Sequence, residues 1–354
     1  MNNNYVVIMA GGIGSRFWPM STAEHPKQFH DVLGTGRTLI QLTVDRYLPI
    51  CNPENIIIVT NENYKGLVQE QLPMLKDEQI LLEPSRKNTA PCIAYACYKI
   101  YAKNKDAKII VAPSDHLILR QKDFELTISK ALEKAESDCL ITIGIKPSRP
   151  DTGYGYIQFE EDDTDTNGIR KVKTFTEKPS LEIAKRFIES GDFYWNSGMF
   201  VWSAKAIITA FEKNLPDLAK SFQDGMSTYF TNQESEYINQ IYPMCKNISI
   251  DYGVMEKADN VFVILADLGW SDLGTWGSLY TKVEQDSNRN AIIGKKVATY
   301  DCNDNIVMMP DNKRVVLQGL NDFIVVESND TLLICKKKDE QKIKQFVIDL
   351  KSKK

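Results

Sequence analysis

Tyr5-Val-Val-Ile-Met-Ala-Gly-Gly-Ile-Gly-Ser-Arg-Phe-Trp-Pro19, with Pro26-Lys-Gln-Phe29 behind it, is the stretch on which the reading of this chain turns. Tyr5 to Ala10 is a short apolar, β-branched run stopped by glycines, the pattern of a buried strand feeding a tight loop. Gly11, Gly12 and Gly14 carry no Cβ, so the loop can take positive φ and bring backbone N–H groups close to an anion. Ser15 and Arg16 come next, and Lys27 adds a second cation: one planar fork, one mobile point charge. A strand, a glycine turn and two cations suit a polyphosphate. Two other phosphate loops fail on spacing. A dinucleotide fingerprint needs a glycine where Phe17 stands, and a P-loop needs a closing Gly-Lys-Ser/Thr, which is absent.

Outward from that loop, the first 145 residues alternate strands and amphipathic helices. Strands are expected at Tyr5–Ala10, Asn55–Thr60, Gln79–Leu82, Lys108–Ala112 and Cys139–Ile145, and helices at Thr38–Leu48, Glu62–Leu72, Thr89–Lys103 and Asp123–Glu136. Such alternation predicts an α/β fold, a Rossmann-like, mostly parallel sheet flanked by helices, with ligands at the carboxyl ends of its strands. Beyond Pro147 two strands around Gly153–Phe159 and Val172–Thr176 are expected to flank an acidic turn, Glu160–Gly168. A helix Leu181–Ser190, an aromatic strand Tyr194–Ser203, helical residues 204–258 and a strand over 261–265 complete this part. A polar stretch at Asp286 marks an expected boundary. Residues 1–286 would form one domain, and 287–354 a small β-rich domain ending in a helix, Lys338–Leu350. The lysines after it, Lys351, Lys353 and Lys354, read as a frayed, solvated end.

Composition narrows the classes. The 354 residues are 43% hydrophobic and 25% charged, with a formal net charge of -4, which disfavours a general nucleic-acid binder. No run approaches a membrane span, and the N-terminus lacks a basic leader, so a cytoplasmic location is the default. The seven cysteines, Cys51, Cys92, Cys97, Cys139, Cys245, Cys302 and Cys335, are scattered and read as buried thiols. His25, His30 and His116 lack zinc-ligand spacing.

Two acids sit at suggestive places. Asp115 comes just after the strand Lys108–Ala112, where a lone Asp is usually a turn residue. Asp272 lies in Gly269-Trp-Ser-Asp-Leu-Gly-Thr-Trp276 ahead of a helix, where its plain role is an N-cap. Two carboxylates near bound phosphates could instead hold Mg²⁺. Other segments have equally plain readings. Asn88 or Thr89 would cap the next helix, Gly155 would sit in a hairpin, and Glu177–Lys178 would be a solvated pair.

The loop as a whole resembles the signature of sugar-nucleotide pyrophosphorylases, in detail the mannose-1-phosphate guanylyltransferases (GDP-mannose pyrophosphorylases). Further motifs fall in family order: Glu83-Pro with Asn88-Thr-Ala-Pro91, Ser114-Asp-His116, Gly153-Tyr-Gly155, Glu177-Lys-Pro179, Trp195-Asn-Ser-Gly198, Ser249–Lys257 and Asp272-Leu-Gly-Thr-Trp276. The resemblance spans roughly residues 5–335. Met20, Ser114 and His30 are small departures that remove no charge.

The resemblance implies a nucleotidyl transfer in which GTP and mannose 1-phosphate give GDP-mannose and pyrophosphate. Arg16, Lys27, Lys178, Asp115 and Asp272 would be the catalytic set, with Asp115 and Asp272 holding Mg²⁺. Ala10, Gly11, Gly12, Gly14, Ser15, Arg16, Glu83, Asn88, Thr89 and Asp115 would line the nucleotide. Gly155, Glu177, Lys178, Asn196 and Asp272 would face the sugar phosphate. Longer bifunctional members carry an isomerase domain, for which this chain is too short.

Three alternatives stay open at this point: transfer with another base or sugar, a non-catalytic paralogue that binds GDP-mannose, and, disfavoured by Phe17, a nicotinamide-dependent dehydrogenase. The role of the β-rich tail is open too, either packing on its own domain or building a homodimer.

Overall fold

The computed structural model describes residues 3–352, so Lys353 and Lys354 of the expected frayed end lie outside the described residues. The first four strands appear within a residue of their expected bounds: β1 Asn4–Met9, β2 Ile56–Asn61, β3 Ile80–Glu83 and β4 Lys108–Pro113. The helices between them are α1 Leu39–Tyr47, α2 Lys65–Gln71 and α3 Thr89–Lys103, with α4 Gln121–Lys134 after β4. Burial of Val6, Val7 and Ile8 on both faces of β1 explains its unbroken apolar run. α3 is buried from Ala90 through Ile100. Its many alanines and cysteines let neighbouring elements approach closely, which fits a helix that is apolar all round.

The remaining elements are β5 Leu140–Ile145, β6 Gly155–Thr164, β7 Ile169–Glu177, α5 Leu181–Ser190, β8 Phe193–Ser203, α6 Ala204–Asn214, α7 Pro216–Asp224, α8 Glu234–Ile241 and β9 Val261–Ala266. The nine strands form one sheet in the order β3-β2-β1-β4-β8-β5-β9-β7-β6. β1 runs parallel to β2 and β4, and β5 parallel to β9, but β8 lies antiparallel between β4 and β5. The sheet is therefore mixed. The aromatic run that marks β8 as buried cannot reveal its direction, which is set by its partners. The acidic turn is shorter than expected: β6 continues to Thr164, and Asp165 Oδ1 closes the turn by accepting from the Asn167 and Ile169 amides, each at 2.9 Å.

After α9 Trp276–Tyr280 come β10 Ala291–Ile293, β11 Val297–Tyr300, β12 Ile306–Met308, β13 Val315–Gln318, β14 Phe323–Ser328 and β15 Thr331–Lys336. Strands β10, β12 and β14 stack in parallel with β15 antiparallel at the edge, while β11 pairs β13 in a separate parallel ladder. Residues Ala291–Ala298, which read in the chain as one β-rich run, are thus divided between two strands that belong to different sheets. The terminal helix likewise divides into a 3₁₀ turn, Lys337–Lys342, and α10 Ile343–Ser352.

Packing groups the residues into two compact units. The stretch ending at Gly11, with Val44–Ser114 and Ile118–Trp270, forms the first. Gly12–Thr43, Asp115–Leu117 and the stretch from Ser271 onward form the second. The first holds the nine-stranded sheet, and its core joins β1, β4 and β8 to α3, α6 and α7. The second has its own core, in which Phe17, Trp276, Ile306, Ile324 and Ile343 pack together. The seven cysteines are free and buried. Among the described residues no helix is long and apolar enough to cross a membrane.

Candidate active site

The chain leaves β1 and β4 at the same end of the sheet, since Met9 pairs with Pro113 and the Ser114 amide donates to the Met9 carbonyl at 3.1 Å. The segments that continue from these strands, Gly12–Thr43 and Asp115–Leu117, belong to the second unit. There a cavity of about 330 Å³ is lined by Gly14, Ser15, Arg16, Lys27, Asp115 and Asp272, all expected site residues. Phe17, His116, Leu273, Gly274 and Lys344 complete its wall.

Lys27 organises this cavity. It is only 3% exposed, and its Nζ donates to Asp115 Oδ2 at 2.7 Å and to the Asp272 and Leu273 carbonyls at 3.0 Å each. An ammonium has three donors, and these three acceptors match them. Burial alone would raise the Asp115 carboxyl, but the Lys27 and His116 charges beside it outweigh that and hold it below the usual carboxylate range. The Lys27 stem passes hard against the glycine loop: a Cβ on Gly14 would lie 2.5 Å from Lys27 Cβ, and Gly14 takes φ +68°. Glycine is demanded there on both counts. Gly11 and Gly12 do not take positive φ; a Cβ on Gly11 would meet Glu83 Oε2 at 2.9 Å, and around Gly12 there is open space.

Asp272 Oδ1 accepts from the Gly274 amide at 3.0 Å, closing a short turn. The N-cap of α9 is not Asp272 but Thr275, whose hydroxyl accepts from the Ser278 amide while Ser278 reaches back to Thr275. Asp272 is thereby released from the capping role that its sequence position suggests. Arg16 is exposed and, among the described residues, has no ion-pair or hydrogen-bond partner.

The other expected site residues, apart from Gly12 in the second unit, lie in the first unit, in three places. Ala10 is tied by its amide to the Val59 carbonyl and accepts from Thr60 Oγ1 at 2.9 Å, beside Gly11. At the end of β3, Glu83 is 5% exposed and accepts a hydrogen bond from the Tyr242 hydroxyl. Burial pushes its carboxyl up, opposed by Tyr242 and Arg86. Second, Asn88 caps α3, its Oδ1 accepting from the Thr89 amide at 2.9 Å, with backbone at φ 67°, ψ -170°. That region is essentially reserved for glycine and costs on the order of 1–3 kcal/mol for other residues. Thr89 Oγ1 accepts from the Ile250 amide at 2.9 Å.

The third place gathers Gly155, Glu177, Lys178 and Asn196. Gly155 and Glu177 are opposite one another in the β6–β7 ladder, and a Cβ on Gly155 would lie 2.6 Å from Glu177 Oε2. Lys178 Nζ donates to Glu177 Oε1 at 2.5 Å. Burial would lower the Lys178 ammonium, but Glu177 and Asp251 raise it on balance. Asn196 is fixed between Thr142, which donates to its Oδ1 at 2.8 Å, and Asp251, which accepts from its Nδ2 at 2.9 Å.

Asp251 is the residue that sequence reading left without a role, although it stands inside the Ser249–Lys257 motif. Burial, then the Glu177 charge, push its carboxyl up to about 7, against Lys178 and Asn196. A raised carboxyl pKa favours the protonated folded form. This stabilisation is full below the unfolded pKa near 4 and is lost as pH rises through about 7. Asp251→Asn is neutral throughout and can still accept from Asn196. It should match the wild type at pH 4 and exceed it by about 2–4 kcal/mol at pH 8, measured by urea unfolding. Equal pH slopes in the two proteins would refute the assignment.

The two carboxylates that line the cavity are hard oxygen donors of the kind a divalent cation takes. Among the described residues no group of three or more His, Cys, Asp or Glu side chains makes a metal site by itself. Two carboxylates completed by phosphate oxygens and water are, however, the ligand set Mg²⁺ prefers. Asp115, held ionised, and Asp272 both line the cavity and are the carboxylates that would enter such a set.

Comparison with known proteins places this geometry. The family model described as nucleotidyl transferase matches residues 5–289, and one described as MannoseP isomerase/GMP-like beta-helix domain matches residues 295–350. A mannose-1-phosphate guanylyltransferase of Escherichia coli is 36% identical, the match covering 98% of this chain and 76% of that protein. The alginate biosynthesis protein AlgA of Pseudomonas aeruginosa is 35% identical, over 97% of this chain and 71% of that one. A solved structure from Thermus thermophilus, described as a mannose-1-phosphate geranyltransferase, superposes with a TM-score of 0.88 at 28% identity, covering 99% of this chain and 100% of that chain. Family match, relatives and cavity agree: the chain belongs to the nucleotidyl transferase family, as a sugar nucleotidyltransferase.

Proposed function

We propose that this protein is a mannose-1-phosphate guanylyltransferase of the cytoplasm, transferring GMP from GTP to α-D-mannose 1-phosphate and releasing pyrophosphate. The observation that carries the reading is the meeting of Arg16, Lys27, Asp115 and Asp272, from three distant parts of the sequence, around one cavity. The guanylyltransferase of Escherichia coli supports the choice of base and sugar. Residues 1–286 form the nucleotidyltransferase domain in this reading, and 287–354 the β-rich domain.

A sugar phosphate has a second pKa of about 6, so at neutral pH it is mostly a dianion and needs no general base. One of its oxygens forms a bond to the α-phosphorus of GTP while the bond to the bridging oxygen breaks and pyrophosphate leaves. The protein's task is to gather and hold charge. Arg16 binds the triphosphate and the leaving pyrophosphate. Lys27 keeps Asp115 ionised, fixes the Asp272 loop, and adds its charge to the cavity. Lys178 orients the attacking phosphate, with Glu177 and Asn196 on the sugar hydroxyls. Glu83, Asn88 and Thr89 lie along the nucleoside. Asp115 and Asp272 would hold Mg²⁺, which supplies charge neutralisation across the phosphates when bound.

The test is pyrophosphate release from GTP, ATP, UTP, CTP and dTTP, each with mannose 1-phosphate and Mg²⁺. GTP alone should be active, and EDTA should abolish the signal. Activity with another nucleotide only would overturn the base, and silence with all five would overturn the enzymatic reading.

A further inference from the structure

The cavity wall includes one residue that neither the loop nor the acid motifs contain: Lys344, at the start of α10. The geometry points to Lys344 as a second polyphosphate-binding cation, paired with Arg16 across the cavity, so that the β-rich tail supplies part of the nucleotide site. This rests on the reading of the cavity as a polyphosphate site.

Charge is the first ground. Lys27, Arg16 and Lys344 face Asp115 and Asp272. Lys27 is committed to Asp115 at 2.7 Å and to two carbonyls, so its donors are engaged. Among the described residues neither Arg16 nor Lys344 has an ion-pair or hydrogen-bond partner, and both are exposed. Beside the His116 charge that acts on Asp115, Arg16 alone would be left facing Asp272. Lys344 adds a further positive charge to the cavity, as a highly charged anion requires.

Placement is the second. Two anchors hold Lys344 where it is. Ile343 is 0% exposed, in the same core as Phe17 and Trp276, and Phe346 packs against that core. α10 rests on the Ser15–Phe17 turn that carries Arg16. One turn earlier, Glu340 accepts from the Gly277 amide at 2.8 Å, tying the 3₁₀ turn to α9 just beyond the Asp272 loop. The backbone under Lys344 is thus held against the Ser15–Phe17 turn and, through Glu340, against α9, while the side chain is exposed. That combination fits a residue that closes on a ligand rather than one that supports the fold.

The experiment measures binding of inorganic pyrophosphate by calorimetry, then steady-state kinetics, for the wild type, Lys344→Ala, Lys344→Glu, Lys344→Arg and, as a control, Lys338→Ala. Lys344→Ala should weaken pyrophosphate binding and raise the KM for GTP about tenfold, the scale of one charge-assisted hydrogen bond. Lys344→Glu should weaken both further, and Lys344→Arg should restore both. The KM for mannose 1-phosphate should not move, which a general structural defect would not spare. Lys338→Ala should behave as wild type. Pyrophosphate binding unchanged in both Lys344→Ala and Lys344→Glu would overturn the inference, as would a wild type that binds no pyrophosphate. Because pyrophosphate reports on the cavity alone, a failure of the GTP and mannose assignment leaves this test intact.

Discussion

Replacing Lys27 with methionine is expected to lower turnover at least about a hundredfold, the scale of losing a positioned charge at a reacting centre. Methionine keeps the length and apolar stem of the lysine, which lies beside the Phe17 ring with Nζ 5.4 Å from its centroid. Lost is the ammonium that engages Asp115 and the Asp272 and Leu273 carbonyls. Stability should fall as well, by about 1–3 kcal/mol at neutral pH, because a largely buried carboxylate loses its partner. The Asp115 carboxyl is depressed in the folded protein, so its contribution is present above the unfolded pKa near 4 and lost as pH falls through the folded value. The gap between wild type and Lys27→Met should therefore narrow below about pH 4. Steady-state pyrophosphate release and urea titrations at pH 7 and pH 3 measure both effects. Wild-type turnover in the variant would sink the role given to Lys27.

Asp272→Asn isolates charge from scaffold. The asparagine oxygen can still accept from the Gly274 amide, and the N-cap of α9 belongs to Thr275, so the loop keeps its shape. Stability should stay within about 0.5 kcal/mol of wild type. Turnover should nonetheless fall about a hundredfold, since one of two carboxylates available to a divalent cation has lost its charge. Raising the Mg²⁺ concentration should recover part of the loss. A variant with normal turnover and normal Mg²⁺ dependence would remove Asp272 from the metal site.

The two variants also separate what a motif can and cannot tell. Asp272 in its Gly-Trp-Ser-Asp-Leu-Gly-Thr-Trp run reads as a helix cap, and only the structure shows Thr275 and Ser278 closing the helix between themselves. The Thr-x-x-Ser spacing is visible in the chain, but a capping box and a capping Asp compete within three residues. Asn88 goes the other way. Its plain reading as a cap is realised, at a strained φ of 67°. Lys27 reads as a mobile point charge, and instead it is buried with its donors matched. Nothing in Pro-Lys-Gln-Phe announces that, because its acceptors lie some 90 and 245 residues further along the chain.

The sequence by itself determined the local elements and the chemical types. Apolar period and glycine stops define β1 through β5 and α3 to within a residue or two, because strand and helix preferences act over a few neighbours. The cations, acids and glycines of the site are also plain in the chain, whereas the close pass of Lys27 that reserves position 14 for glycine is not. Tertiary structure alone decided the direction of β8, the burial that lifts the Asp251 carboxyl towards 7, and the arrival of Lys344 in the cavity. It also placed the β-rich tail in one compact unit with the glycine loop. Each of these results from contacts between residues far apart in the chain, where solvent exclusion and neighbouring charge, rather than local propensity, set the outcome.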